Sequence, residues 1–171
     1  MTQGFIHLYT GNGKGKTTAA FGMALRAAMT GRKVFIGQFV KSMKYSETKI
    51  EHLLKNIQIK QFGRGCYIKE KIEPIDIEMT INGLNECDRL MQSGDYDLVI
   101  LDEILIALYF KFITVAEVLK VLDNKHPDTE VILTGRYAPQ ELIDRADLVT
   151  EMKEIKHYYT QGVLSREGFD C

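Results

Sequence analysis

The sequence is poor in cysteine and in net charge. Its three cysteines, Cys66, Cys87 and Cys171, are widely spaced and form no C-x-x-C pair, so the chain has neither a zinc-type nor a redox dithiol motif. A formal net charge of −1 gives no general basic surface for nucleic acid. We therefore expect a protein of the reducing cytoplasm that does not bind nucleic acid.

Membrane and linker signals are also missing. No apolar run approaches the ~18 residues of a membrane-spanning helix, and the N-terminus lacks the charged and then apolar pattern of a signal peptide. Only three of the 171 residues are proline, and no repeat, low-complexity tract or flexible linker divides the chain. We expect no membrane partner and a single domain over residues 1–171, a length that can bury one hydrophobic core.

Short apolar runs alternate with helical patterns along the chain. The clearest runs lack strict alternation with polar residues, which predicts strands buried on both faces of a parallel sheet. Apolar residues recur at three- and four-residue spacing over residues 77–91 and 115–122, as in helices packed on a sheet. Thr114 and Glu117 form a capping box, and Pro139 marks the start of a further short helix. This order predicts a single-domain α/β fold of the P-loop (RecA-like) type, with a mostly parallel sheet and helices on both faces. The predicted strands are residues 5–9, 34–40, 57–62, 98–101, 131–133 and 148–152.

A glycine-rich segment connects the first predicted strand to an alanine-rich stretch. Residues 10–18 read TGNGKGKTT, with Thr10 where the usual pattern has its first glycine. Between a strand and a helix, such a segment predicts a phosphate-binding loop whose backbone N–H groups converge on phosphate oxygens. Lys16 neutralises phosphate charge in this loop, and the Thr17 hydroxyl ligates Mg²⁺. The expected nucleotide-binding residues are Gly11, Asn12, Gly13, Lys14, Gly15, Lys16, Thr17 and Thr18.

A second part of the nucleotide site is predicted at the end of another strand. Residues 96–103 read YDLVILDE, an apolar strand that ends in two carboxylates. The carboxyl ends of parallel strands share one rim of the sheet, so Asp102 and Glu103 can reach the Mg²⁺ directly or through water. Asp102 is the first choice as metal partner, although the sequence does not separate it from Glu103. Either carboxylate could instead be an ordinary strand end, but the phosphate loop favours the metal interpretation.

Two further cations leave alternatives open. Arg136 follows the predicted strand 131–133 at the same rim, where it either clamps a phosphate and stabilises leaving-group charge or is a solvated loop residue. Lys14 either contacts the polyphosphate or faces solvent. We take Lys16 and Arg136 as the candidate catalytic residues.

Several segments taken together resemble the P-loop corrinoid adenosyltransferases. The resemblance covers nearly the whole chain and depends on the order and spacing of the segments. Its C-terminal part is one that a generic P-loop ATPase is not expected to carry. The segments are residues 10–22, 38–41, 99–104, 134–136 and the pattern Lys156-His157…Gly162…Gly168-Phe169-Asp170.

The resemblance implies adenosyl transfer instead of phosphoryl transfer. In that family a Co(I) corrinoid attacks the 5′-carbon of ATP, which lies reversed along the loop, and tripolyphosphate leaves. Loop N–H groups, Lys16 and Mg²⁺ would stabilise the leaving group. The resemblance also implies that His157 binds nucleotide, that a flavodoxin or flavoprotein supplies electrons, and that the chain is a homodimer. ATP and Mg²⁺ are thus the expected cofactors, with a corrinoid as substrate.

The expected corrinoid contact follows the third predicted strand. Family members carry a glycine followed by phenylalanine and tryptophan there, aromatics implicated in displacing the lower cobalt ligand. This chain has Cys66 and Ile68 at those two positions, and Tyr67 between them is the candidate replacement. The expected corrinoid-binding residues are Gly65, Cys66, Tyr67 and Ile68.

Other functions also fit a phosphate loop. A P-loop nucleoside or metabolite kinase would share the loop, the carboxylates and Arg136 but would release ADP. An ATP-gated corrinoid carrier would bind both ligands and turn over neither. A DNA-stimulated ATPase is more distant, because the near-neutral charge offers little to a polyanion.

Overall fold

A computed structural model describes residues 3–41, 43, 45–64 and 72–170. Its six strands form one sheet in which every pairing is parallel. Each predicted strand is present, and its ends differ from the prediction by one residue at most. The strands are β1 (Ile6–Thr10), β2 (Val34–Phe39), β3 (Ile57–Phe62), β4 (Leu98–Asp102), β5 (Glu130–Thr134) and β6 (Leu148–Glu151).

Helices connect these strands as the alternating pattern predicts. At the start of one of them the Thr114 side chain accepts a hydrogen bond from the Glu117 N–H, and the Glu117 carboxylate accepts one from the Thr114 N–H, which confirms the predicted capping box. Pro139 caps another short helix, again as predicted. In the described residues the α-helices are α1 (Lys16–Ala28), α2 (Ile50–Leu53), α3 (Pro74–Ser93), α4 (Ile104–Tyr109), α5 (Val115–Asp123) and α6 (Gln140–Arg145), and 3-10 turns span Ser46–Lys49 and Tyr158–Gln161.

The strand order is β3-β2-β4-β5-β1-β6. Because every strand runs the same way, all six carboxyl ends lie at one rim of the sheet. The loop between β1 and α1 therefore lies at the same rim as the ends of β2, β4 and β5. This order brings together residues that are as far apart in the sequence as Thr17, Lys41 and Asp102.

Hydrophobic clusters cover both faces of the sheet. On one face Phe35 and Leu101 pack against α3, α4, α5 and α6, whereas on the other Ile36 and Ile100 pack against α1. The four central strands are therefore buried on both sides, and helices on both faces are confirmed. In the described residues no helix combines the length and the hydrophobicity that crossing a bilayer requires.

The edge strands differ from the prediction that strands are buried on both faces. β3 alternates between buried Ile57 and Phe62 at its ends and exposed Gln58 and Lys60 between them, and all four residues of β6 are exposed. The physical reason is the strand order, since β3 pairs only with β2 and β6 only with β1. A strand at the edge of a sheet lacks a neighbour on one side and is covered less by the helices.

Helix α3 approaches β3 closely through a glycine. A Cβ atom at Gly83 would lie 2.4 Å from Cγ of the Phe62 ring, and one at Gly37 of β2 would lie 3.1 Å from Cε2 of the same ring. The Phe62 ring therefore fills the space between β2 and α3. Gly63, the residue that follows β3, is fixed at the rim by this packing.

Candidate active site

The loop between β1 and α1 has the backbone shape of a phosphate-binding loop. Gly11 and Gly15 have φ angles of 101° and 119°, in a region that side chains disfavour. Helix α1 begins directly after Gly15, without a side-chain cap and without an acidic residue in its first turn. The positive end of the helix dipole and its first N–H groups are therefore available to an anion.

Lys16 is buried within the curve of this loop. Its Nζ donates hydrogen bonds to the carbonyl oxygens of Gly11 at 2.7 Å and Gly13 at 2.8 Å. Burial lowers the pKa of the Lys16 ammonium, while the nearby Glu103 opposes that shift. The lysine is thus fixed at the centre of the predicted phosphate site.

The loop is also held by the segment that follows β6. The Gly13 N–H donates to the Met152 carbonyl oxygen at 2.6 Å. A Cβ atom at Gly13 would lie 2.5 Å from that oxygen, and one at Gly11 would lie 2.6 Å from it. The two glycines are therefore required by the close approach of the chain as well as by the predicted phosphate.

Asp102, at the end of β4, is fully buried and accepts four hydrogen bonds. Its Oδ1 accepts from the hydroxyls of Thr17 at 2.9 Å and Thr134 at 2.7 Å. Its Oδ2 accepts from the Gln38 amide at 3.2 Å and the Lys41 ammonium at 2.9 Å. Burial raises the pKa of the Asp102 carboxyl, but the Lys41 ammonium and the hydroxyls outweigh it and hold the pKa below its ordinary value.

Glu103 lies next to Asp102 in a different environment. Its N–H donates to Thr134 Oγ1 at 2.9 Å, but its carboxylate accepts no hydrogen bond from any residue that the structure describes. Burial and the neighbouring Asp102 raise the pKa of the Glu103 carboxyl, against the effect of Lys41, Lys16 and Arg136. The two carboxylates that the sequence could not separate are therefore distinct, since one has its acceptor positions filled and the other does not.

Lys41 is a site residue that sequence reasoning did not select. It follows β2, which pairs with β4 in a register that places Gln38 opposite Asp102. Its side chain is 16% exposed and ends on the Asp102 carboxylate. The available signal was the segment 38–41 of the family resemblance, but nothing in the local pattern indicates that β2 lies beside β4.

Unusual backbone angles occur at this rim after three neighbouring strands. Val40 after β2, Glu103 after β4 and Tyr137 after β5 have φ angles of 60°, 62° and 62°. A left-handed conformation is disfavoured for residues with side chains, most of all for a β-branched valine. Such residues concentrate at functional sites, where the surrounding structure holds them.

Arg136 lies at the predicted rim and is exposed. It follows Gly135, whose φ angle of 140° and whose close approach to Leu105 exclude a side chain. The Arg136 charge acts on both Lys16 and Glu103. The guanidinium is therefore near the loop, and its catalytic role stays a prediction.

Lys14 contacts the C-terminal segment and is partly exposed, and its contact with a polyphosphate stays a prediction. Its Nζ donates to the Tyr158 hydroxyl at 2.6 Å, to the Phe169 carbonyl oxygen at 2.6 Å and to the Asp170 carboxylate. The hydrogen bonds to Asp170 and Tyr158 raise the pKa of the Lys14 ammonium. The Arg166 guanidinium lies 4.8 Å from the Tyr158 ring centroid and bonds to Asp170 as well.

A pocket of about 330 Å³ lies beside the phosphate loop, lined by Gly13, Lys14 and residues 153–158. His157 is on its wall, where Nδ1 accepts a hydrogen bond from the Tyr159 N–H at 3.1 Å. The His157 ring lies 4.8 Å from the Tyr158 ring. The structure thus brings His157 close to the loop, and nucleotide binding by this residue stays a prediction.

The expected corrinoid-binding residues Gly65, Cys66, Tyr67 and Ile68 lie outside the described residues. The described residues that precede them lie at the same rim. A Cβ atom at Gly63 would lie 2.6 Å from the Lys41 backbone nitrogen. Arg64 bonds to Asp76 and Glu73 at the start of α3.

Comparison with known proteins gives full-length matches. The family described as ATP:corrinoid adenosyltransferase BtuR/CobO/CobP matches residues 2–171. A corrinoid adenosyltransferase from a Sinorhizobium species is 37% identical over 172 residues, which cover 98% of this chain and 80% of that protein. The corrinoid adenosyltransferase of Escherichia coli K12 and the corrinoid adenosyltransferase CobA of Salmonella typhimurium LT2 are each 31% identical over 170 residues, covering 98% of this chain and 86% of each relative.

Proposed function

The chain belongs to the ATP:corrinoid adenosyltransferase family, and from that membership we propose that it transfers the 5′-deoxyadenosyl group of ATP to the Co(I) centre of a reduced corrinoid. The observation that carries this proposal is the match over residues 2–171, which includes both the phosphate loop and the C-terminal segment. The reaction would take part in the salvage or the synthesis of an adenosylated corrinoid. We propose that residues 1–171 act as one catalytic domain in the cytoplasm.

The proposed step is a substitution at carbon. Co(I) of the substrate supplies the electron pair of the new Co–C bond, and the bond between C5′ and oxygen breaks with its pair going to tripolyphosphate. Co(I) is already a strong nucleophile, so the protein has no need of a general base. Its contribution is to orient the two substrates and to neutralise the leaving group.

The residues for that neutralisation surround the loop. The open N-terminus of α1 and the Lys16 ammonium would hold the polyphosphate, and Arg136 would approach it from the end of β5. Lys14, now bonded to Asp170, and His157 border the adjoining pocket. We assign the remaining nucleotide contacts to the loop backbone from Gly11 to Thr18.

The rim also fits a magnesium ion. The described residues contain no cluster of three or more His, Cys, Asp or Glu side chains that could hold a metal. A site with one or two carboxylates plus substrate phosphates is the usual arrangement for Mg²⁺. We infer that the Glu103 carboxylate and the Thr17 hydroxyl would ligate the ion directly, with Asp102 orienting Thr17. When bound, the metal would supply positive charge to the leaving polyphosphate.

We place the corrinoid next to the end of β3, at residues Gly65, Cys66, Tyr67 and Ile68. The support is that Gly63 is fixed beside Lys41, so the chain enters this segment at the nucleotide rim. Replacing Tyr67 with Ala should weaken cobalamin binding and slow adenosylation of Co(II) corrinoid, while ATP affinity changes little. Chemically prepared Co(I) should partly bypass the defect, and equal losses for ATP and cobalamin would remove this segment from the corrinoid site.

We also propose that a flavodoxin or flavoprotein is the reductant and that the active form is a homodimer.

The test is incubation of the protein with ATP, Mg²⁺ and chemically reduced cobalamin. Adenosyl transfer predicts a light-sensitive Co–C product and one tripolyphosphate for each corrinoid consumed. Release of ADP would indicate a kinase, and binding of both ligands without turnover would indicate a carrier. Either of these results would contradict the proposal.

A further inference from the structure

Lys41 is placed at the carboxylate pair by a backbone conformation that is costly to adopt. The preceding Val40 has a φ angle of 60°, in the left-handed region that residues with a branched side chain disfavour. Its N–H donates to the Phe62 carbonyl oxygen at 3.1 Å, and Gly63 packs directly on the Val40 and Lys41 backbone. A solvated surface lysine would need none of these constraints.

Four donors, with the Lys41 ammonium among them, occupy the acceptor positions that a metal would need on Asp102. A carboxylate has about four lone-pair positions, and those of Asp102 take bonds from Thr17, Thr134, Gln38 and Lys41. A cation approaching Asp102 would have to displace one of these donors and would be repelled by the Lys41 charge. At Glu103 no donor among the described residues has to be displaced, although the charges of Lys41, Lys16 and Arg136 act there as well.

We propose that Lys41 is a positioning residue that restricts the site to a single divalent cation and directs it to Glu103. Two adjacent carboxylates at a polyphosphate site could otherwise hold a second divalent ion, as in two-metal centres. The Lys41 ammonium takes the place of that second cation, so this positive charge comes from the protein and not from a bound ion. The inference rests on the proposed function only in that a divalent ion accompanies ATP.

The rival explanation is that Lys41 and Asp102 form an ion pair that only stabilises the fold. A purely structural pair would change the free energy of unfolding when it is broken, but it would leave the metal count unaltered. The stoichiometry of bound metal therefore separates the two explanations.

The experiment counts Mn²⁺ bound per bound ATP, by electron paramagnetic resonance of free Mn²⁺ and by equilibrium dialysis of labelled ATP. No corrinoid is added, so no transfer takes place. We expect a ratio of one for the wild-type protein and for Lys41→Arg. Lys41→Met should bind a second Mn²⁺ for each bound ATP, and Lys33→Met, at the opposite end of the sheet, should match the wild type. A ratio of one in folded Lys41→Met would overturn the proposal.

A second set of variants covers the case in which Lys41→Met does not fold, since it leaves a buried carboxylate unpaired. The double variant Lys41→Met/Asp102→Asn has no net charge at the pair and should bind one Mn²⁺ with an affinity within threefold of wild type. Glu103→Gln should lose at least tenfold in Mn²⁺ affinity. A tenfold loss in the double variant together with wild-type affinity in Glu103→Gln would make Asp102 the ligand and refute the assignment. The metal count does not depend on adenosyl transfer, so failure of the proposed reaction would be seen separately.

Discussion

Two lysines of the phosphate loop, two positions apart, have different partners. Lys16 points into the loop and bonds to its carbonyl oxygens, whereas Lys14 points outward to the C-terminal segment. The sequence listed both with the nucleotide and left Lys14 open between polyphosphate and solvent, because a glycine-rich pattern does not show which way each side chain is directed. The difference between them leads to separate expectations for their substitution.

Replacement of Lys16 with Ala should weaken ATP binding by about 10- to 100-fold. The reason is the loss of one charge-assisted hydrogen bond, which contributes about 1.5–3 kcal/mol. The fold should persist, since the Lys16 ammonium bonds only to two loop carbonyls in the described structure. Calorimetric ATP titration measures the effect, with circular dichroism as the check on folding and Lys33→Ala as the control. Unchanged affinity would refute the phosphate-loop assignment.

Replacement of Lys14 with Ala should instead release the C-terminal segment. The Lys14 ammonium is the first cause of the lowered pKa of Asp170, and the Asp170 contact raises the pKa of Lys14. A lowered acid pKa contributes stability that is lost as the pH falls through the folded-state value, and a raised lysine pKa contributes stability that is lost as the pH rises through it. The contribution of this contact to stability should therefore be complete between about pH 4 and pH 10 and should be lost only beyond that range.

Limited proteolysis at neutral pH measures this release. We expect faster cleavage within residues 158–170 of Lys14→Ala than in the wild type or in Lys153→Ala, a lysine on the wall of the same pocket. An NMR titration should show the pKa of Asp170 moving upward in Lys14→Ala. Equal cleavage rates and an unmoved Asp170 pKa would show that Lys14 does not hold the segment.

Among the elements, helix α1 and the loop that precedes it offer a matched pair of glycine substitutions. Gly22 is exposed within the helix, and a Cβ atom there would meet nothing within 4 Å. Replacing it with Ala should raise the free energy of unfolding by about 0.5–1 kcal/mol, because glycine is the poorer helix former. Gly13→Ala adds the same methyl group but meets the Met152 carbonyl oxygen, so it should lower that free energy by about 1–3 kcal/mol.

Urea denaturation of both variants measures these changes. Gly22→Ala should keep wild-type ATP affinity, and Gly13→Ala should lose it, because the shifted loop no longer matches the polyphosphate. If Gly13→Ala kept the wild-type free energy of unfolding and ATP affinity, the loop could move away from β6 without affecting either quantity.

Local sequence patterns predicted where the strands and helices lie better than they predicted which strands lie side by side. Hydrophobic runs located all six strands, and Thr114 with Glu117 located the start of α5, because period and capping are properties of a few consecutive residues. The exposure of β6 and the partnership of Lys41 with Asp102 depend on strand order. That order follows from how the whole chain packs, and no short segment contains it.

At the scale of the whole molecule, one polar network links five elements at the rim. It runs from the Gln61 amide on β3 to Gln38 on β2, then to Asp102 on β4, and from there to Thr134 on β5 and Thr17 on α1. In the described residues no fully buried side-chain nitrogen or oxygen lacks a partner. A ligand that binds at the phosphate loop is thus connected to the strands of the sheet through the hydrogen bond between Thr17 and Asp102.

MgATP should therefore stabilise the whole fold. At a ligand concentration of 100 times Kd the gain is about 2.7 kcal/mol, which corresponds to a rise in Tm of about 5–11 °C for a domain of this length. Differential scanning calorimetry measures the shift, and Lys16→Ala at the same ATP concentration serves as the control. A Tm that does not respond to MgATP in the wild type would contradict nucleotide binding at the loop.

The contact between Gly83 and the Phe62 ring has a consequence for how this family can diverge. A side chain at position 83 and a phenyl ring at position 62 cannot share the same space, so relatives should vary at the two positions together. Those with alanine or larger at position 83 should carry a smaller residue at position 62. In the laboratory, Phe62→Leu should rescue much of the stability that Gly83→Ala loses. The phenyl ring at position 62 thus limits which residues α3 can carry opposite the end of β3.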